Sequence, residues 1–392
     1  MCFKNHKKSS FSTVNLKKIL GLPWKIAVFL LLILPFFNFS TVYAADSENS
    51  AKKFTPPAFA DIAHLKNLPS LNAHSVSVAG LSSGAYMAVQ YQMAFSSEVV
   101  GAGIVAGGPF YCAEGSLVRV AHNCMKANAL APAPDVKRQN ENLNYFAHLG
   151  LIDNPAALKK HRVYVFGSKL DDTVYFSVIA ALMDFYRAHL PKGQYLFDRH
   201  KSAAHAFISP YAASKNACER AQLPPYVNHC GTFDTAKNIF QHIYGNIQNA
   251  EANPEQPNIG TLYSFNQGDF TPDKPAAISM AERGYVYIPK TCEKENCRLM
   301  LALHGCKQNA ELVGDAFIRQ SGFLQWAANN RTIVLFPQTT ERLGYLPLTN
   351  NTILNPYACW DWWGYTTKDF VAKNAPQLKS LHKMVHRLQG KK

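Results

Sequence analysis

The sequence contains no Cys-X-X-Cys pair, no internal repeat, no low-complexity tract and no acidic residue before Asp46. It also lacks an apolar run long enough to cross a bilayer. A spanning helix needs roughly 20 such residues, and the N-terminal stretch Ile26 to Phe37 falls short and carries Pro35. Basic residues are scattered, with no basic helix or aromatic-interleaved stripe, which argues against a nucleic-acid reader. Charged residues make up only 17% and hydrophobic residues 47%. That balance is globular rather than disordered.

The missing acids at the N-terminus define a segment. Lys4, Lys7, Lys8, Lys17, Lys18 and Lys25 precede the short apolar run, and Val42-Tyr43-Ala44 supplies small residues at a cleavage site. This is the pattern of a secretory signal peptide over residues 1–45. Cleavage after Ala44 or Ala45 leaves 46–392 as one domain, exported to the extracellular space or the periplasm, with no stable membrane anchor. Without those six lysines the charge falls from +14 to +8, with 34 basic against 26 acidic residues. A solvated basic surface is the plain reading of that excess.

Cysteine usage agrees with export. There are nine, and Cys2 leaves with the signal. Of the remaining eight, Cys112 and Cys124, Cys218 and Cys230, and Cys292 and Cys297 are close in sequence, with Cys306 and Cys359 left over. An even count in an exported chain predicts disulfides, although eight cysteines allow 105 connectivities. No histidine accompanies them in a ligand pattern, so no zinc cluster is expected.

Hydrophobic patterning predicts strands at His74–Val78, Val163–Phe166, Gln194–Phe197, Gly284–Pro289, Arg298–His304 and Thr332–Phe336. Helices are predicted at Ala85–Phe95, around Ile179 to Leu190, at Phe317–Ala328, and at the C-terminus through Leu378, Leu381, Val385 and Leu388. Glu251 to Asp273, rich in Asn, Pro and Gly, reads as a connection. Alternation of strands and helices argues a doubly wound, mostly parallel α/β sheet in a single domain.

Gly80-Leu81-Ser82-Ser83-Gly84 sits between a predicted strand and a buried helix. There a GxSxG turn exposes its serine as a nucleophile. The alternative is an ordinary turn serine. A nucleophilic serine needs a base and an orienting carboxylate. Asp171 follows the Val163–Phe166 strand, with Asp172 competing for the role, and His205 comes later, in the order Ser, Asp, His that α/β-hydrolases use. One oxyanion donor in such folds is the N–H after the nucleophile, here Ser83. The other belongs to a His-Gly motif that normally precedes the nucleophile strand. None lies upstream. Leu303-His304-Gly305-Cys306 lies downstream, so the motif is either an accident or the mark of a circularly permuted α/β-hydrolase. A second pattern, Gly101 to Ala106 (GxGxxA), has no helix opening after it because Pro109 intervenes, so a dinucleotide site is not expected.

Seven ordered stretches make the resemblance specific: GLSSGAYM (80–87), GGPFYC (107–112), DDTV (171–174), AHAFI (204–208), PYVNHCGTFD (225–234), LHGCKQ (303–308) and CWDWWGY (359–365). Across about residues 75 to 390 the chain resembles the single-domain extracellular polyhydroxybutyrate (PHB) depolymerases, which have a circularly permuted α/β-hydrolase fold. The Gly115–Asn140 stretch does not follow the family pattern. The resemblance implies a triad of Ser82, Asp171 and His205, with oxyanion donors at the Ser83 and Cys306 N–H groups and substrate contact at Trp362. It further implies disulfides Cys112–Cys124, Cys218–Cys230, Cys292–Cys297 and Cys306–Cys359. It implies a monomeric serine esterase acting on short-side-chain polyester, with no metal or organic cofactor. The alternatives are a secreted carboxylesterase for lipid or aromatic esters, and a non-catalytic polymer or surface binder.

Overall fold

The computed structural model describes residues 62–200, 202–346 and 351–391. The signal-peptide reading of residues 1–45 and its cleavage site lie outside the described residues. The strands in chain order are β1 (Ala63–Leu65), β2 (His74–Leu81), β3 (Val99–Val105), β4 (Arg162–Ser168), β5 (Tyr195–His200), β6 (Phe207–Ile208), β7 (Asn216–Ala217), β8 (Val227–His229), β9 (Gly260–Asn266), β10 (Arg283–Pro289), β11 (Arg298–Leu303), β12 (Thr332–Phe336), β13 (Arg342–Leu346) and β14 (Asn351–Asn355). The helices are α1 (Ser83–Ala94), α2 (Leu117–His122), α3 (Val136–His148), α4 (Phe176–Arg187), α5 (Thr235–Tyr244), α6 (Ala310–Val313), α7 (Ala316–Gln320), α8 (Phe323–Asn329) and α9 (Pro376–Gln389).

Nine strands form one sheet in the order β1-β9-β10-β12-β11-β2-β3-β4-β5. Every neighbour pair is parallel except β10, which runs antiparallel to both β9 and β12. The order shows the permutation directly. Of the strands on one side of β2, β9 to β12 come later in the chain and only the short edge strand β1 precedes it, so that side of the sheet is supplied mainly by the C-terminal half of the sequence. The fold is thus the mostly parallel α/β-hydrolase arrangement.

Alternation along each strand divides the core in two. Val76, Val78, Leu299, Leu301, Ile333 and Leu335 face the layer of α1, α3, α4 and α9. Ala79, Met300, Ala302, Val334 and Phe336 face the layer of α5, α7 and α8. All twelve residues of α1 are buried, as a sequence apolar almost all round predicts, and its two glutamines are buried with the rest.

Two local expectations change. The predicted helix Phe317–Ala328 is two helices, α7 and α8, because Gly322 takes φ 92° between them. Only glycine adopts that left-handed backbone without strain. The Glu251–Asp273 connection contains strand β9, paired along its whole length with β10. Its Thr, Tyr and Phe alternate weakly, and the pairing that makes it a strand is tertiary. Gly101 to Ala106 lies in and just beyond β3, between β2 and β4, rather than opening a helix. Among the described residues no helix is long and apolar enough to cross a membrane.

Candidate active site

The residues singled out in the sequence collect at the C-terminal ends of the parallel strands, where open α/β sheets place their sites. The registers Gly80↔Leu303, Leu81↔Val105 and Val105↔Phe166 set the ends of β11, β2, β3 and β4 level with one another. Ser82 leaves β2, Asp171 follows β4, His205 follows β5 and His304 follows β11.

Ser82 stands between β2 and α1 at φ 55°, a backbone conformation rare for a side-chain-bearing residue. Its N–H donates to Val105 O at 2.9 Å, and its carbonyl accepts from Tyr86 N at 3.0 Å. The flanking glycines are required by close approach. A Cβ on Gly80 would meet Gly84 backbone at 2.3 Å, and one on Gly84 would meet Leu303 O at 2.3 Å. The GxSxG spacing therefore records where two backbones touch, and the α1 N-terminus that follows carries the partial positive charge of a helix start.

Asp171 and His205 are joined. His205 Nδ1–H donates to Asp171 Oδ2 at 2.8 Å. The other carboxylate oxygen accepts from Thr173 N at 2.9 Å and Val174 N at 2.8 Å, so both oxygens are engaged. Asp171, not Asp172, is the buried member of the pair. Burial opposes charge on the His205 ring, but the attraction and hydrogen bond of Asp171, with help from Asp172, raise its pKa above the ordinary value.

The His304–Cys306 loop packs directly on the serine turn. A Cβ on Gly305 would sit 3.4 Å from Ser82 Cβ. His304 Nδ1–H donates to Gly305 O at 2.7 Å, and His304 Nε2 accepts from Thr339 N at 3.2 Å. Because the peptide is planar, holding the Gly305 carbonyl on one side turns the Cys306 N–H to the other. Among the described residues no acceptor takes the Cys306 or the Ser83 N–H. His304 is fully buried, and burial pushes its pKa down to about 4, partly opposed by the bond to Gly305. It is thus a neutral ring that both donates and accepts.

Four disulfides are present: Cys112–Cys124, Cys218–Cys230, Cys292–Cys297 and Cys306–Cys359. The last ties the His304–Cys306 loop to the tryptophan-rich segment. Trp360 is fully buried and its Nε1–H donates to His304 O at 3.1 Å. Trp362 is 4% exposed and stacks on Tyr86 of α1 with ring centres 4.0 Å apart. Asp361 is structural: its carboxylate accepts from the N–H groups of Gly364, Tyr365 and Thr366. Sequence reasoning did not single out Gln308. Its Oε1 accepts from Gly305 N at 2.9 Å and its Nε2 donates to Pro225 O and Tyr226 O. It lies inside LHGCKQ, so the motif held the signal, but its partners come from another motif. A polar cavity of about 310 Å³ lined by residues including His74, Arg298 and Arg331 lies at the opposite edge of the sheet and contains no triad residue.

A strained serine between a strand and a buried helix, a buried Asp–His pair and a free-N–H loop define a serine-hydrolase type of site on an α/β-hydrolase fold. No family model matches the chain. It is 36% identical over 330 residues to a poly(3-hydroxybutyrate) depolymerase of Delftia acidovorans, covering 83% of this chain and 62% of that protein. It is 31% identical over 301 residues to a polyhydroxybutyrate depolymerase of Talaromyces funiculosus, covering 75% of this chain and 84% of that protein. Two solved structures match with TM-score 0.73 and 27% identity, over 83% of this chain and 99% of theirs. One is a PHB depolymerase from Penicillium funiculosum, and the other is a serine-to-alanine PHB depolymerase complexed with an R3HB trimer. The chain belongs to the polyhydroxybutyrate depolymerase family. It spans about three fifths of the length of the Delftia relative.

Proposed function

We propose that this protein is a secreted serine esterase that hydrolyses poly(3-hydroxybutyrate)-type polyester to 3-hydroxybutyrate and short oligomers. The observation that carries the reading is Ser82 at φ 55° in contact with the His304–Cys306 loop, at the same sheet edge as the Asp171–His205 pair. His205 Nε2 takes the Ser82 hydroxyl proton as Oγ attacks the ester carbonyl carbon. Asp171 holds the ring and stabilises the imidazolium. The carbonyl oxygen becomes an oxyanion that accepts from the Ser83 and Cys306 N–H groups. As the tetrahedral intermediate collapses, the ester C–O bond breaks and the imidazolium returns its proton to the leaving alkoxide. Water, deprotonated by His205, then cleaves the acyl-enzyme and frees Ser82.

The substrate class follows from the family and from surfaces suited to neutral ester chains. Trp362, stacked on the helix that starts at the nucleophile, is proposed to border the acyl chain with its exposed rim. Four disulfides support residence in an oxidising compartment after removal of residues 1–45. The test is product analysis on amorphous PHB beside soluble p-nitrophenyl and feruloyl esters. Release of 3-hydroxybutyrate, with fluorophosphonate labelling lost in Ser82→Ala, is expected. Cleavage of soluble esters alone overturns the substrate, and an unlabelled wild type overturns the mechanism.

A further inference from the structure

Away from the sheet edge that carries the triad, two histidines and a glutamate converge from distant parts of the chain. His382 and His386 are one turn apart on α9, so they share a face of that helix. Glu98 comes from the turn between α1 and β3, 288 positions before His386. His386 Nε2 lies 3.1 Å from Glu98 Oε2, and His382 Nε2 lies 3.4 Å from Glu98 Oε1. One ligand atom from each residue can be chosen so that all three lie within 4.8 Å of one another. Ligands of a tetrahedral zinc ion, each about 2.0–2.1 Å from the metal, are about 3.3 Å apart. The two imidazole–carboxylate separations already match that spacing.

The surroundings hold the donors in place. Tyr91 OH is 3.2 Å from His382 Nδ1, which leaves Nε2 directed at Glu98. An outer hydrogen bond on the second ring nitrogen is the usual way a metal-binding imidazole is oriented. Phe95 stacks flat on the His382 ring with centres 3.7 Å apart, fixing its plane. The three side chains are partly exposed, at 18%, 26% and 26% for His382, His386 and Glu98, so water can reach a fourth position. One cation competes. Lys391 Nζ bonds Glu98 at 2.5 Å, but it is the penultimate residue and its side chain is 47% exposed. An exposed ion pair of that kind is worth at most about 1 kcal/mol, so a divalent ion can displace it.

We propose that Glu98, His382 and His386 form a binding site for a divalent transition metal, Zn²⁺ above all, that pins α9 to the end of α1. The role is structural. The ion would cross-link the C-terminal helix to the helix that begins at Ser82, and it takes no part in ester cleavage. The pattern was invisible in sequence because His-X3-His is only two ligands, and the third is supplied by the fold.

The test uses the full chain, stripped of metal and titrated with Zn²⁺ alone, reading bound metal per chain and the thermal midpoint. One bound Zn²⁺ and a raised midpoint are expected for the wild type. Both are lost in His386→Ala and in Glu98→Gln, while esterase activity persists. Tyr91→Phe is expected to weaken binding about 10-fold. Lys391→Ala is expected to tighten it, and this variant keeps the test decisive if a ligand variant fails to fold. The proposal is overturned by a wild type that neither binds Zn²⁺ nor gains stability from it. Equal affinity in His386→Ala, or no tightening in Lys391→Ala, also overturns it.

Discussion

The Gly80–Gly84 turn and the His304–Cys306 loop lie against each other, yet opposite means hold them in place. The turn is local. Its shape follows from five consecutive residues, with Gly80 pressed on the Gly84 backbone and a serine forced to φ 55°. The loop is held from a distance. A disulfide to Cys359, a hydrogen bond from Trp360 and the bridge of Gln308 to Pro225 and Tyr226 all come from other segments. A site built half from local sterics and half from long-range ties should fail in two different ways.

Gly80→Ala tests the local half and should have the largest effect. The added methyl has no room beside the Gly84 backbone, which cannot give way as a flexible side chain can. Loss of folded, soluble protein is expected, read by expression and thermal unfolding. A folded Gly80→Ala enzyme with full activity would break the steric account.

Next in size is Asp171→Asn, which keeps the shape but loses the charge that orients His205. A drop of about 10⁴ in kcat is expected, with little change in unfolding temperature. The same variant sharpens the pH profile. His205 titrates above its ordinary range, so the acid limb of kcat/KM in the wild type should fall above about pH 6.5. Removing the Asp171 charge should move that limb to lower pH.

The long-range half is tested by two disulfides. Cys306–Cys359 closes a span of 53 residues and Cys292–Cys297 one of 5. Chain entropy predicts losses of about 4 and about 2 kcal/mol when each is replaced by serines. Only the first should also lower kcat, because only it holds the loop that carries the proposed oxyanion donor Cys306. Equal loss of kcat in both variants would break the comparison.

Stability alone is tested at His304, through its pH dependence. Its folded pKa of about 4 lies below the ordinary 6.5 of an unfolded histidine. The unfolded chain therefore takes up the proton first as pH falls. The contribution is fully present above about pH 6.5 and is lost on the way down to about 4, by at most about 3 kcal/mol. Urea unfolding at pH 7 and pH 4.5 should show the fall, and His304→Asn should flatten it.

Strands β4, β11 and β12 were legible in the sequence because buried parallel strands are written as unbroken apolar runs, and β2 was legible because its residues alternate. Strand β9 was not legible, since its pattern becomes a strand only through pairing with β10. The break between α7 and α8 was also missed, although Ser321-Gly322 between the two apolar stretches is a turn signal. Trp362 stacks on Tyr86 and meets Trp363 edge-on, an arrangement the sequence did not show. Its aromatic neighbours could be counted in sequence, but which ring faced which could not.

By itself the sequence determined the elements and the chemistry available to them: a glycine-flanked serine, a carboxylate and a histidine in order, and eight cysteines beyond Cys2. These are properties of residue type and spacing, which backbone sterics read locally. Only the tertiary structure decided that β11 lies beside β2, that Gln308 reaches Pro225, and that Glu98 meets two histidines of the last helix. Those pairings join residues far apart in the chain. They exist because burial of both faces of one sheet leaves a single arrangement of its strands, and no spacing in the sequence encodes that arrangement.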